Sequence, residues 1–537
     1  MTDAIVVVGS GASGVHFALS ALRKGHRVLM LDVGHKRPEP PNPGDDFTSL
    51  KTNQKDPVEY FLGRKFEALI LPGHEPEYYG FPPSKEYVFT KPGNFLYRAN
   101  GFSPLVSFAA GGLAEAWTGG CYPFQERELI GFPFPYKDLA PWYSEVARRI
   151  GIAGTQDDLA KFMPLHDGLM EPLDLDEHSA VLLAAYEKRK QQLNEKFGCF
   201  LGRSRVAVLS RDLGNRKRCD YLGRCLWGCP SDALYTPSVT LEECRRHPNF
   251  EYQDNTYVSH FRYDSGGRIT RLVATSLDTG QTHEIEVGRV VLAAGTLSSA
   301  KIFLESIYRD SGESLQLRGL MDNRQVLAPF VNLKLIGRRY EPKRYQYHQI
   351  ALTIAAADPI ESVHGLVTTL KTALIHPIVP GIPFDLGTGV YWFRNMRAAL
   401  GLVNVNFSDH RRDENYLALE ADPASAQTRL LVNYRPDSSE AARIREATRT
   451  LQKVLWKLGC LAPSAMMHIR PMGASVHYAG TIPMSADSAT LTCTRSCQSR
   501  DFENLYFVDG TTFPVLPAKN LTFTLMANAV RVAEEAF

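Results

Sequence analysis

The sequence predicts an α/β protein: a Rossmann-like dinucleotide-binding domain interrupted by an α+β domain built on an antiparallel sheet. Three stretches of the 537 residues carry this expectation. The first is "AIVVVGSGASGVHFALSALRKGHRVLMLDVG" (4–34), an apolar run, a glycine-rich turn, a helical pattern and a second apolar run. The second is "RVVLAAGTLSSAKIFLES" (289–306), a buried-strand run that turns through Ala-Gly-Thr into an apparent helix start. The third is the block from about 330 to 445, where "YQYHQIALTIAAA" and "RLLVNY" read as strands of an antiparallel sheet in another domain.

Taken in order, the first stretch has the βαβ dinucleotide-binding fingerprint in full context, Gly9-x-Gly11-x-x-Gly14. Gly9 makes the tight turn, Gly11 admits a pyrophosphate to the backbone, and Gly14 lets helix and strand pack closely. The free N–H groups at the helix N-terminus, around Ala12 and Ser13, face the phosphates. An amphipathic helix is expected to run to Gly25, and Asp32 closes the second strand, placed to accept from ribose hydroxyls. The fingerprint alone does not separate NAD from FAD, although its place at the start of the chain favours FAD. Next, "AAGGLAEAWTGGCYPF" (109–124) sets Gly111, Gly112, Gly119 and Gly120 around Trp117, as backbone lying against a flat ligand would require. The 289–306 stretch then returns the chain to the parallel sheet past the cofactor at Ala294 and Gly295. The nucleotide domain is therefore discontinuous. We assign 1–40, 86–135, 205–325 and 460–537 to it, and 41–85, 136–204 and 326–459 to a substrate domain and lid.

Composition bounds the rest. Hydrophobic residues make up 44% and charged ones 22%, and the formal net charge is +2, which gives no footprint for a nucleic-acid partner. No run of 18 apolar residues suggests a membrane span. The apolar "ALIHPIVPGIPFDLG" (373–387) reads as a buried substrate-domain loop, with a lid or a membrane-touching patch as alternatives. Nine cysteines and no signal-like N-terminus suggest reduced thiols and a cytoplasmic location.

The C-terminal block reads "SVHYAGTIPMSADS" and then "NLYFVDGTTFPVLPAKNLTFTLMANAVRVAEEAF". Together with the fingerprint, "GGLAEAWTGG" and "AAGTLSSAKIFL", it resembles the glucose–methanol–choline (GMC) flavoprotein oxidoreductases, with partial likeness to the pyranose oxidase and sugar dehydrogenase branch. The likeness is weak through the substrate domain. By that resemblance His477, in H-x-x-G-T, matches the catalytic histidine and Asn520 the second active-site position. Asp509, beside Gly510, matches the acid near the flavin ribityl chain and pyrophosphate. Gly111, Gly112, Trp117, Thr118 and Val258 are also expected at the cofactor. Two departures are Asp32, where glutamate is commoner, and Thr296-Leu-Ser-Ser299-Ala300, which lacks the usual proline or serine after the signature serine. The pyranose oxidases link FAD covalently through a His-Trp-Thr; here the tripeptide is Ala116-Trp117-Thr118, so FAD is expected to be non-covalent.

The implied reaction is oxidation of an alcohol to a carbonyl. A histidine with a reference pKa of ~6.5 suits removal of the hydroxyl proton, and Asn520 can donate to the developing alkoxide while hydride passes to flavin N5. The expected substrate is a sugar, glycoside or other polyhydroxylated metabolite, with Tyr347, His348, Gln349, Tyr391 and Trp392 as candidate sugar contacts. The electron acceptor is open between oxygen, a quinone and a carrier protein. A non-redox lyase of the hydroxynitrile-lyase type is the alternative; an FAD-binding subunit without catalysis is argued against by intact His477 and Asn520. Cys219, Cys225 and Cys229 invite an iron–sulfur or zinc reading, but a metal-free structural loop is preferred because the adjacent cysteine pair of the cluster-binding relatives is missing.

Overall fold

The computed structural model describes residues 4–66, 68, 81–370, 379, 382–421 and 427–537. Ile5–Val8 is the central strand of a five-stranded, all-parallel sheet ordered Leu505–Phe507, Arg289–Leu292, Ile5–Val8, Val28–Leu31, Phe250–Gln253. Such a sheet is covered on both faces, which is why Ile5–Val8 and Val28–Leu31 are apolar at every position and wholly buried. The helix Ala12–Arg23 follows the first strand, and Ser13 through Leu22 are all buried. The amphipathic helix expected there is thus enclosed, because the final helix Thr522–Ala536 packs along its flank. Its polar members find partners inside. His16 Nε2 lies 3.0 Å from the Tyr235 hydroxyl, and Arg149 donates to the Ser20 hydroxyl at 2.9 Å.

The antiparallel sheet of the other domain runs Cys460–Leu461, Gln325–Asn332, Leu400–Asn406, Val363–Thr369, Ile350–Ile354, Cys199–Arg203, with His468–Ile469 also pairing to Gln325–Asn332. "YQYHQIALTIAAA" supplies its strand Ile350–Ile354. "RLLVNY" does not join it. Thr428–Asn433 belongs to a separate four-stranded sheet, between Tyr416–Ala421 and Tyr97–Asn100. Alternation predicts a strand but not its partner, and here the partner lies over 300 residues away in sequence. The expected division between nucleotide and substrate segments runs through this sheet, since Tyr97–Asn100 and Thr428–Asn433 fall on opposite sides of it. Most of the 373–387 stretch lies outside the described residues, and at its end Phe384 and Leu386 are exposed.

Candidate active site

A deep cleft opens above the C-terminal ends of the parallel strands, where ligands of open α/β sheets bind. Its walls include Gly9, Gly11, Ala12, Ser13, Asp32, Gly112, Val258, Ala294, Gly295, Asp509 and Gly510. Gly14, Gly111, Trp117 and Thr118 do not line it, and Trp117 faces a second cavity with Lys85, Glu115 and Cys229. Gly14 has no room for a side chain, because a Cβ would sit 2.2 Å from the Gly9 carbonyl oxygen. A Cβ on Gly11 would meet nothing nearer than the Ala293 oxygen at 3.9 Å, so this turn is open toward the cleft. Gly111, at φ 96°, donates its N–H to Ser10 Oγ, tying the glycine-rich segment to the fingerprint. Trp117 donates Nε1–H to the Tyr235 carbonyl at 2.7 Å, and the Thr118 hydroxyl lies 3.1 Å from His348 Nε2.

Asp32 accepts from the Ser10 hydroxyl, from the Ser10 N–H at 3.2 Å and from the Tyr252 hydroxyl at 3.4 Å. Burial dominates over these bonds and pushes its carboxyl up to about 6. Asp509 accepts from Gly295 N–H, Ser299 Oγ, Thr511 N–H and Thr511 Oγ1 at 2.5–3.1 Å. It clamps the turn after strand Arg289–Leu292 to the turn after strand Leu505–Phe507. An elongated cleft with a glycine-lined phosphate turn at one end, an acid at the second strand and a helix N-terminus at Leu521 and Thr522 fits a dinucleotide such as FAD.

His477 lies in the chain between Val476 and Tyr478, which both line this cleft. It is 8% exposed. The loop that carries it is held in an unusual shape. Val476, β-branched, has φ 64° in the left-handed region, and Asp322 fastens the loop by accepting from Gly473 N–H, the Ser475 hydroxyl and His477 N–H. His477 Nδ1 is 2.9 Å from Asn323 Oδ1, and His477 Nε2 is 3.3 Å from Asn520 Nδ2. The Asn323 amide has its orientation fixed, because its Nδ2 donates to the Phe407 and Pro517 carbonyls at 2.8 and 2.9 Å. Its oxygen can therefore only accept, so Nδ1 carries the proton and Nε2 keeps a lone pair. Burial, assisted by the charge of Arg470, lowers the imidazole to about 4. The ring is neutral and basic at Nε2.

Asn520 joins His477 from a position two residues before the final helix. The preceding Lys519 anchors it, donating to Glu128, Pro123 O and Phe162 O at 2.5–3.1 Å. Asn520 Oδ1 is buried without a partner. Such an atom costs roughly 1–3 kcal/mol, and it marks a place where a ligand's hydroxyl would bond.

Asn323 and Asp322 carry no sequence motif and were missed. Asn323 reaches His477 across 154 residues, and only an alternation break before strand Gln325–Asn332 hints at it. Of the suggested sugar contacts, His348 lies near the site, its Cε1 3.3 Å from where a Gly120 Cβ would stand, with Asn520 Oδ1 at 3.5 Å. Gln349 is engaged structurally, its Oε1 accepting from Asp176 N–H and its Nε2 donating to the Tyr345 carbonyl. Tyr391 and Trp392 are on the exposed side of the helix Leu386–Met396, Trp392 stacking on Phe384, and take no part. A helix places half its side chains outward, which aromatic character does not reveal. Cys219, Cys225 and Cys229 are free thiols, and among the described residues no group of three His, Cys, Asp or Glu is placed to hold a metal.

Residues 411–529 match the family model described as GMC oxidoreductase, C-terminal. This region contains His477, Asp509 and Asn520. Over this region the chain matches the GMC oxidoreductases. Along nearly its whole length it is similar to two curated enzymes. One is paromamine 6'-oxidase of Streptomyces fradiae, 24% identical over 99% of this chain and 90% of the relative. The other is C-glycoside 3-oxidase of Microbacterium trichothecenolyticum, 24% identical over 98% and 95%. Among solved structures, pyridoxine 4-oxidase from Mesorbium loti superposes with TM-score 0.61 at 15% identity, covering 99% of both chains. A formate oxidase does so with TM-score 0.60 at 12% identity, covering 99% and 98%. With these relatives named as oxidases, the chain is an oxidoreductase acting on alcohol groups. Among the described residues no helix is long and apolar enough to cross a membrane.

Proposed function

We propose that this protein is a GMC oxidoreductase that oxidises an alcohol carbon of a sugar, glycoside or related polyhydroxylated compound, with His477 as base. One observation carries the reading: Asn323 holds the His477 proton on Nδ1, which leaves the Nε2 lone pair beside Asn520. His477 Nε2 takes the substrate hydroxyl proton. Asn520 Nδ2 then donates to the oxygen that becomes negative, and the two groups fix the hydroxyl from two directions. FAD, when bound, supplies the acceptor for the carbon-bound hydride. Gly9, Gly11 and the start of helix Ala12–Arg23 would hold its pyrophosphate, and Asp32 its ribose. Gly112, Val258, Ala294, Gly295, Asp509 and Gly510 would enclose it. The attachment is non-covalent at Ala116-Trp117-Thr118, so acid precipitation releases all flavin from the protein. The sugar class is supported by the curated relatives named above, one of them a C-glycoside oxidase by name.

The test is anaerobic absorbance near 450 nm while sugars, glycosides and simple alcohols are added to the holoenzyme. Bleaching by one class supports the reading, and readmitting air then separates oxygen from other acceptors. With His477→Ala the reduction rate should fall about 10²–10⁴-fold at unchanged flavin content. Unaltered bleaching in that variant excludes His477 as base.

A further inference from the structure

The antiparallel sheet beside His477 has two unlike faces. In strand Leu400–Asn406, Val403 and Val405 enter an apolar core with Val326, Ala328, Phe330, Val363 and Val367. Asn404 and Asn406 point the other way. Residues directly opposite in antiparallel strands share a face, so Gln325, Asn406, His364 and Thr353 form one row across four adjacent strands. All four are buried. A buried sheet face is ordinarily apolar or fully hydrogen-bonded. Here Asn404 Oδ1, Asn406 Nδ2 and both ring nitrogens of His364 have no partner. Burial lowers the His364 imidazole to about 3, against the pull of the Leu352 carbonyl.

This row belongs to the neighbourhood of the base. His364 feels the charges of Lys519, His348 and His477. Its ring meets Tyr122 edge-on at 4.5 Å, and Tyr122 shares the surroundings of Gly120 with Asn520 Oδ1. At the other end of the row, Gln325 accepts from Arg470, the cation that acts on His477.

The unpaired atoms are of both kinds. The Asn406 amide and one His364 nitrogen donate; Asn404 Oδ1, Asn520 Oδ1 and the other His364 nitrogen accept. No carboxylate is among them, and the nearby cations are engaged, Arg470 by Gln325 and Lys519 by Glu128. A hydroxyl donates and accepts at once, whereas an ammonium only donates and a carboxylate only accepts. We propose that this face binds the non-reacting hydroxyls of a neutral polyhydroxylated substrate, with Asn406 and His364 donating and Asn404 accepting. The proposal rests on the reading of His477 as base and adds to it the residues that select the substrate.

The test measures binding apart from turnover. Flavin difference spectra of the holoenzyme give the Kd of D-glucose, methyl glucoside, their deoxy analogues, gluconate and glucosamine. A neutral sugar should bind more tightly than the charged pair. Asn406→Leu should then raise its Kd and KM by roughly 10-fold or more, and the penalty for the matching deoxy analogue should collapse. His364→Phe, which keeps ring volume, should do the same and serves if Asn406→Leu does not fold. Charged and neutral sugars binding equally, no neutral sugar binding, or an unchanged Kd in both variants would each overturn the proposal. Sugar binding without bleaching would remove His477 from its role and leave this face standing. Bleaching with no effect of the variants would do the reverse.

Discussion

Asn323 decides what His477 can do, because it fixes which nitrogen carries the proton. A neutral imidazole accepts the substrate proton and a protonated one cannot, so kcat/KM should fall as pH drops through about 4, well under the ordinary 6.5. A rate profile with its acid limb near 6.5 would contradict this environment. The position can be tuned. Asn323→Asp places a carboxylate against the ring, favours the imidazolium, and should move the acid limb upward by about one unit or more. Flavin content measured alongside shows whether the variant keeps its fold. The same limb in both proteins would mean that Asn323 does not act on the ring.

Two elements frame the site, and each makes a prediction of its own. The fingerprint turn relies on Gly9 and Gly14 for packing and on Gly11 for an open face. Gly14→Ala forces a Cβ against the Gly9 carbonyl and should lower stability by at least about 1–3 kcal/mol, with lost flavin. Gly11→Ala meets no such contact, so it should keep the apoprotein's melting temperature while weakening FAD. Equal melting losses would refute the division of roles. The segment before the final helix relies on Lys519 and Glu128, an ion pair whose side chains are 4% and 6% exposed. Desolvation pushes Glu128 up and Lys519 down, and each is held charged by the other. Glu128→Gln leaves the lysine charge unmatched and should cost about 3–5 kcal/mol, read by chemical denaturation, while displacing Asn520 and slowing flavin reduction.

Across the whole molecule the cleft is assembled from segments near residues 8–13, 31–33, 95–114, 256–258, 293–302 and 476–525, so a bound dinucleotide joins parts distant in the chain. FAD at 100 times its Kd should stabilise the fold by about 2.7 kcal/mol, and stripping it should lower the melting temperature until FAD is restored. Much of this frame was legible in advance. The fingerprint, the returning strand at 289–292 and the C-terminal block name themselves because each is local: a few residues in fixed spacing set the turn, the strand and the helix start. His477 and Asn520 were offered by the family resemblance of the C-terminal block, and folding brings the two side chains together. Sheet partners were not, as "RLLVNY" shows, since alternation describes a strand's two faces and not its neighbour. Asn323, Asp322 and the row of Asn406 and His364 were also hidden. Their roles come from contacts 81 to 155 residues apart in the chain, and from being buried without partners. The sequence by itself determined the nucleotide frame, because backbone geometry near glycines and strands is a local property, and it offered His477 as a candidate base through its resemblance to a family. Only the tertiary structure decided the proton's place on His477 and the polarity of the sheet facing it, because desolvation and hydrogen bonding depend on what folding brings alongside.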